Sequence, residues 1–464
     1  MERIDEAGAA PGRSPAARGP EPHLTAEIAE IGRSLARRNF SAAAMRRAPH
    51  ERGMSLVGRD PEVRAALLQL VDVAPACENA ADLAGHLHSY LSRVGGSGRR
   101  PVSIASGAAR TPAARGVTGR VARVAINRMA HRFIVGSTPD RAARELRRMW
   151  DRGNAISVDL LGEATLTEAE GVAYANRCDQ ALKTLAVATR EWDPKPILES
   201  DAAGSLPRAN LSVKVTALTP LVRPQAPDRG RRDAAEHLRR LLRTAAGVGA
   251  HLHVDMESMD SREMVFEMVL AVLAEDEFRS GPSAGLVLQA YLRDSEEMLD
   301  EIIEWASRTE RADPLAVRLV KGAYWDQEHI EATQHGWVPP VWSEKADSDR
   351  CFERITRRLV DSFPLVRPAI ASHNLRSLAH AIAYARHRRL ATGDLELQVL
   401  RGLGDDLAEV LARDGHRARV YSPVGDLVSG MAYLVRRLLE NTSNDSFLAD
   451  RAAGADLDSL LASP

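Results

Sequence analysis

Eight short apolar runs, each followed by an amphipathic stretch, constrain this chain more than any other feature. The runs are ISVDLLGEA (156–164), LSVKVTAL (211–218), HLHVDMES (251–258), GLVLQAYL (285–292), LAVRLVKGA (315–323), AIASHN (369–374), LELQVLRG (395–402) and ARVYSPVG (418–425). Their length and β-branched content suit strands buried on both faces, as in a parallel sheet. Between them, stretches such as 234–246, 262–273, 295–307, 347–363 and 378–388 are amphipathic with the period of a helix. Strand–helix alternation repeated eight times predicts an α/β fold, a closed (βα)8 barrel of the TIM type. A doubly wound open sheet is the rival. It is disfavoured because no glycine-rich dinucleotide loop follows the first run.

The flanks read differently. Residues 1–22, rich in Ala, Gly, Pro and Arg, are expected to form a disordered tail. Residues 23–128 are expected to form a helical arm, interrupted at 95–116 by the flexible Gly/Ser/Arg-rich stretch GGSGRRPVSIASGAARTPAARG. Thr138-Pro139-Asp140 should open a further helix running to about Asp151. The barrel domain is placed at 129–450 and a C-terminal tail at 451–464.

Charge and cysteine usage exclude some partners. With 62 basic residues against 63 acidic, no global field favours nucleic acid or an acidic membrane surface. Cys77, Cys178 and Cys351 are scattered, without disulfide or metal-ligand spacing, which fits a reducing, cytoplasmic setting. No apolar run of spanning length is present, and the N-terminus lacks the apolar core of a signal peptide. Basic residues are nearly all arginine. The five lysines are Lys183, Lys195, Lys214, Lys321 and Lys345, and three of them fall at suspected site positions.

A barrel gathers its chemistry at the C-terminal ends of its strands. Those ends carry Asp159 and Glu163, Lys214, Asp255 and Glu257, Gln289 and Tyr291, then Arg318, Lys321, Tyr324 and Trp325. The last three supply His373 and Asn374, Gln398 and Arg401, and Tyr421. Solvated strand ends would place polar residues beyond the strand, whereas Lys214, Asp255 and Arg318 lie within apolar runs, where an unpaired charge is costly. A final helix is expected over 427–441, with Tyr433, Arg436, Arg437 and Glu440 sharing one face. Two adjacent arginines suit bidentate capture of a carboxylate or phosphate. His373 lacks metal-ligand spacing, and the pair His251 and His253 has no further ligands, so no metal is expected.

Together DLLGEATLTEAE, LSVKVTAL, VDMES, LQAY, RLVKGAYWD, ASHN, YSPVGD and YLVRRLLENTSN strongly resemble the proline dehydrogenase domain of the bacterial proline utilisation A (PutA) flavoproteins, from residue 129 to 447. The resemblance implies an FAD-binding barrel with its last helix over the mouth, oxidising L-proline to Δ1-pyrroline-5-carboxylate by hydride transfer from C5 to flavin N5. It implies catalytic roles for Asp255, Arg318, Tyr421 and Tyr324. Arg436, Arg437 and Lys214 would clamp the substrate carboxylate, and Tyr324, Leu400, Tyr421 and Tyr433 would wall the ring. Glu163 would pair with Arg436 as a gate, and Asp255 would hold Tyr421. Arg318 would sit near flavin N5. FAD would also be held by Met256, Gln289, Val320, Lys321, Gly322, Ala323, Trp325, Ser343, Lys345, His373, Asn374 and Glu440.

The implied partners are a membrane quinone as electron acceptor, through peripheral membrane contact, and a pyrroline-5-carboxylate dehydrogenase. The family's aldehyde dehydrogenase half does not precede Pro464, so the chain is either monofunctional or the front of a longer protein. No ribbon-helix-helix segment is evident, which argues against a repressor role. From the residues alone, a Schiff-base aldolase or lyase using Lys214 or Lys321 is the competing enzyme class. A non-catalytic binding module on the same barrel is the third reading.

Overall fold

A computed structural model of the chain describes residues 22–46, 61–93, 112–162, 165–426, 430 and 455–464. Eight parallel strands close into one barrel in sequential order, β1 pairing with β8 and β2. They are β1 (Asn154–Leu160), β2 (Asn210–Lys214), β3 (His251–Asp255), β4 (Ala284–Gln289), β5 (Leu315–Val320), β6 (Val366–Ala371), β7 (Glu396–Leu400) and β8 (Arg417–Val424). Each falls within or overlaps one of the eight apolar runs, because the residues that face the helices leave an apolar trace of strand length in the sequence.

Among the described residues, four α-helices come first: α1 (Pro22–Arg46), α2 (Pro61–Val73), α3 (Ala80–Ser92) and α4 (Pro112–Phe133). The stretch expected to be flexible over 95–116 is helical from Pro112 onward, and residues 94–111 lie outside the described set. The boundary placed at 129 therefore falls inside α4. The expected N-terminal tail, apart from Pro22, also lies outside the described residues. Helix α5 (Pro139–Asp151) starts as its sequence demands: Pro139 occupies the first turn, and the Thr138 hydroxyl accepts from the Arg141 amide at 3.4 Å. The last residues are not a loose tail. A short helix, Leu457–Leu461, buries Leu461 against Gly32 of α1, and the Leu461 carbonyl accepts from Arg376 at 3.0 Å.

Helices α6 (Glu168–Arg190), α7 (Pro227–Val248), α8 (Met259–Leu273), α9 (Ser295–Thr309), α10 (Trp325–His335), α11 (Lys345–Asp361), α12 (Leu375–His387) and α13 (Asp405–Arg413) occupy the strand-to-strand connections. The main apolar core lies between strands and helices, built from outward strand residues such as Val317, Leu319, Leu397 and Val420 against Leu182, Leu238, Phe352 and Leu378. Side chains alternate along a strand, so the intervening residues point into the barrel. Those inward residues are unusually polar. At the N-terminal end, a small hairpin (Ser200–Asp201 with Gly204–Ser205) contributes Asp201, which accepts from Arg367 Nε at 3.0 Å and Arg417 Nη1 at 3.3 Å. Arg367 also pairs with Asp313, and Glu396 with Arg419 at 2.7 Å. His251 and His253 join this layer through Nε2 and Nδ1 at 3.1 Å, with His251 Nδ1 2.9 Å from Ser283 Oγ.

Burial, with the Arg419 charge beyond it, pushes His251 down to about 3. Its folded value is depressed below the ordinary 6.5, so the stability it contributes is full above about pH 6.5 and drains away as pH falls towards 3. About 2 kcal/mol should be lost from this group between neutrality and pH 5. Urea unfolding of the wild type and of His251→Gln checks this. The variant should show a flatter decline over that range, and identical slopes would show that the histidine is not held neutral.

Candidate active site

The C-terminal mouth of the barrel is organised around the aspartate that ends β3. Asp255 Oδ1 accepts from Arg318 Nη1 at 2.8 Å, and Oδ2 accepts from the Tyr421 hydroxyl at 2.7 Å. Lys214 Nζ lies 3.6 Å from the same Oδ2 and donates to Asp159 Oδ1 at 2.6 Å. Thus β1, β2, β3, β5 and β8 each deliver one member of a connected set. The strands put these groups together because all five sit on inward-facing positions at or near the strand ends.

Arg318 is 3 % exposed and fully engaged. Nε donates to Gln398 Oε1 at 2.8 Å, and Nη2 to Ser212 Oγ at 3.1 Å and Ser157 Oγ at 3.4 Å. Its guanidinium carbon lies 5.1 Å from the Tyr421 ring centroid, within cation–π range. Burial would push Lys214 down, but the Asp159 and Asp255 charges outweigh it and hold the amine above its ordinary range. It is a permanent cation. An imine-forming lysine needs the opposite shift, so the aldolase reading loses its first nucleophile. Burial and then the charges of Asp159 and Asp255 keep the Tyr421 phenol protonated, far above its ordinary value. Glu257 is raised by burial, and its Oε2 accepts from Thr216 Oγ1 at 2.6 Å.

A second group lies on β4 to β6 and the helices beyond them. After Val320 the chain turns through Lys321, Gly322 and Ala323 into α10, with Tyr324 at the N-cap. Gly322 has φ of 138°, and a Cβ there would stand 2.4 Å from the Tyr291 ring. Only glycine meets both conditions. Lys321 and Lys345 converge on Asp349, with Lys345 Nζ at 3.1 Å, and together they hold its carboxyl below the usual range against the opposing effect of burial. Burial pushes the Lys321 amine below its ordinary range against the pull of Asp349, and the two lysines still outnumber the one carboxylate between them. Among the described residues, neither the Gly322 nor the Ala323 amide donates to another backbone group. This donor set fits a phosphate-bearing cofactor.

Gln289 is buried at the end of β4 and donates to the Glu257 carbonyl at 3.2 Å, and Met256 is buried just past β3. His373 Nε2 accepts from the Leu400 amide at 2.9 Å, so a neutral ring carries its proton on Nδ1. Asn374 caps α12 through the Ser377 amide. Trp325 donates to the Trp342 carbonyl at 2.8 Å and stacks on His329 with centroids 4.8 Å apart. Ser343 is exposed, 3.5 Å from Arg293 Nη2. Leu400 pairs in register with Tyr421 across β7 and β8.

Glu163, Tyr433, Arg436, Arg437 and Glu440 lie outside the described residues, as does the helix expected over 427–441 apart from Gly430. Sequence reasoning placed Asp159 and Gln398 at strand ends without naming their partners and did not single out Ser212 or Asp349; each of the four fixes one of the expected site residues. The Lys345–Asp349 spacing of four in a helix was the one local signal available. The other partners come together only through barrel closure.

These features define a (βα)8 barrel with a cation-rich mouth. The family profile described as proline dehydrogenase matches residues 142–450, and that of the proline utilization A N-terminal domain matches 25–133. The chain is 33% identical over 350 residues to the bifunctional protein PutA of Salmonella typhimurium, covering 74% of this chain and 25% of that one. It is 26% identical over 342 residues to the proline dehydrogenase of Deinococcus radiodurans, covering 73% and 94% respectively. The crystal structure of proline utilization A from Bdellovibrio bacteriovorus inactivated by N-propargylglycine superposes with a TM-score of 0.85 at 33% identity, over 95% of this chain and 44% of that one. The chain belongs to the proline dehydrogenase family. It spans about a quarter of the length of the bifunctional relatives it matches.

Gly322→Ala should destabilise the protein by about 1–3 kcal/mol, since it forces a non-glycine residue into this backbone region against Tyr291. The denaturant midpoint measures it. A variant as stable as the wild type would show that the turn relaxes freely.

Proposed function

We propose that the chain is an FAD-dependent enzyme that oxidises L-proline to Δ1-pyrroline-5-carboxylate. The observation that carries this reading is the buried Arg318, fixed across the barrel mouth by Asp255 and Gln398, beside the permanent cation Lys214. Family membership supports the substrate class. Proline is small and carries one carboxylate and one secondary amine. It needs a cationic clamp at one end and a close apolar wall around the ring.

Lys214, with Arg436 and Arg437, would clamp the carboxylate, each charged hydrogen bond worth about 1.5–3 kcal/mol. Tyr324, Leu400, Tyr421 and Tyr433 would form the wall, and Glu163 would close the site by pairing with Arg436. The Tyr421 hydroxyl, donating to Asp255 Oδ2, keeps its ring in one orientation. Bound FAD would supply the hydride acceptor. Arg318, Met256, Gln289, the run Val320 to Ala323, Trp325, Ser343, Lys345, His373, Asn374 and Glu440 would hold it. Arg318 would place positive charge where a reduced ring system gains negative charge, the arrangement that stabilises a developing anion. Neither Lys214 nor Tyr421 is a free base, because one is held as a cation and the other keeps its proton. Hydride transfer would then need the substrate amine in its neutral form, since neither group would take its proton.

Electrons would pass on to a quinone at a membrane surface, and the product to a pyrroline-5-carboxylate dehydrogenase, with the enzyme in the cytoplasm. Among the described residues no helix is long and apolar enough to cross a membrane.

The test is the visible spectrum of the purified chain supplied with FAD, before and after anaerobic addition of L-proline. A flavin band that bleaches with L-proline is the expected result. A flavin band that persists would remove proline as substrate, and a chain that retains no flavin would remove the cofactor assignment.

A further inference from the structure

A glutamine amide can face a neighbour with either end, so the contact between Gln398 and Arg318 needs something to set its direction. That group is Glu396, two residues earlier on the same inward face of β7. Gln398 Nε2 donates to Glu396 Oε1 at 2.6 Å. A carboxylate has no hydrogen to give, so the amide must turn its NH2 towards Glu396 and its oxygen towards Arg318 Nε at 2.8 Å. Glu396 cannot rotate to release it. Arg419 grips both its oxygens, Nε on Oε1 at 2.7 Å and Nη2 on Oε2 at 2.8 Å, while Arg419 Nη1 is tied to the Ile156 carbonyl at 2.6 Å. Arg417 Nε adds a second cation 3.5 Å from Oε2. All of these side chains are at least nine-tenths buried. With the amide reversed, an N–H would face the Arg318 Nε–H, and the guanidinium would lose its Nε partner while only its Nη atoms stayed bonded.

We infer that Glu396 is a positioning residue for the reaction: acting through the Gln398 amide, it fixes the orientation of the Arg318 guanidinium at the barrel mouth. It touches neither substrate nor cofactor. The inference rests on the reading of Arg318 as the cation beside the reducible ring, and the test separates the two.

The variants are Glu396→Gln, Gln398→Met and the double substitution, each as the full chain supplied with FAD. Five quantities are read: flavin retention, the midpoint potential of the bound flavin, the dissociation constant for sulfite, and kcat and KM for L-proline. Sulfite adds to flavins and reports the positive charge beside the ring without needing proline. Each single variant should retain flavin, lower the potential, weaken sulfite binding and lower kcat by about tenfold, with KM within about twofold of wild type. The double variant should be no worse than Gln398→Met alone, because one residue acts through the other. Losses that add in the double variant would overturn the relay. So would an unchanged potential and sulfite affinity alongside a lowered melting temperature, which would make Glu396 merely structural.

Should Glu396→Gln fail to fold, an unchanged potential in Gln398→Met overturns the inference by itself. If the chain holds flavin but leaves proline unoxidised, the potential and sulfite readings still decide the relay. A reading free of cofactor is the 15N-detected Arg318 Nε–H, which should exchange slowly in the wild type and fast in both single variants. Slow exchange in both would contradict the relay whatever the chain binds.

Discussion

Burying a guanidinium inside a barrel is the constraint on which the rest of this structure depends. Arg318 sits on β5 among strand residues that are otherwise apolar, and an unpaired cation there would be too costly to keep. Its stability rests on Asp255, Gln398, Ser212 and Ser157, drawn from four other strands. Each of those partners is in turn engaged: Asp255 by Tyr421 and Lys214, Gln398 by Glu396, Ser157 by the Asn210 side chain at 2.7 Å, and Ser212 by Ser157 Oγ at 3.4 Å. The demand passes down the barrel until it reaches Arg417, Arg367 and Asp201 on the hairpin that closes the other end. Barrels of this type are usually filled by layers of branched apolar residues. Here the filling is a column of alternating charges, and it ties the position of the mouth to the closure of the base.

That column explains how a site can be stiff without a single dominant interaction. Removing one partner of a buried charged pair strands the other, which makes each member expensive to lose even where the pair adds little net stability. Rigidity at the mouth is what binding a small, nearly featureless substrate requires, since only a few polar groups can fix its orientation. The neighbouring cradle follows a different logic. Gly322 lets the chain pass close over Tyr291, and Lys321 with Lys345 shares Asp349, so charge is supplied by a turn and one helix start rather than by the barrel interior.

All eight strands were legible in the sequence, because their outward-facing residues leave short, recurring apolar traces and the helices between them leave a 3.6-residue period. The mouth was legible where a charge interrupts such a run, as at Lys214, Asp255 and Arg318. What escaped was pairing. Asp159 with Lys214, Gln398 with Arg318 and Asp201 with Arg367 are separated by 55, 80 and 166 residues, and nothing local marks them as partners. The ends of the flexible and terminal segments were also misplaced. A Gly/Ser/Arg-rich composition hid the start of α4 at Pro112, and the small apolar surface of Leu461 gave no sign that it docks on α1.

The measurement that tests the central claim most directly is the midpoint potential of bound flavin in Arg318→Met against the wild type. If the buried guanidinium faces the reducible ring, its removal makes the negative charge of the reduced form harder to hold, and the potential should fall while flavin is retained. A potential that stays the same with flavin bound would contradict the account, and would leave Arg318 as filling for the barrel.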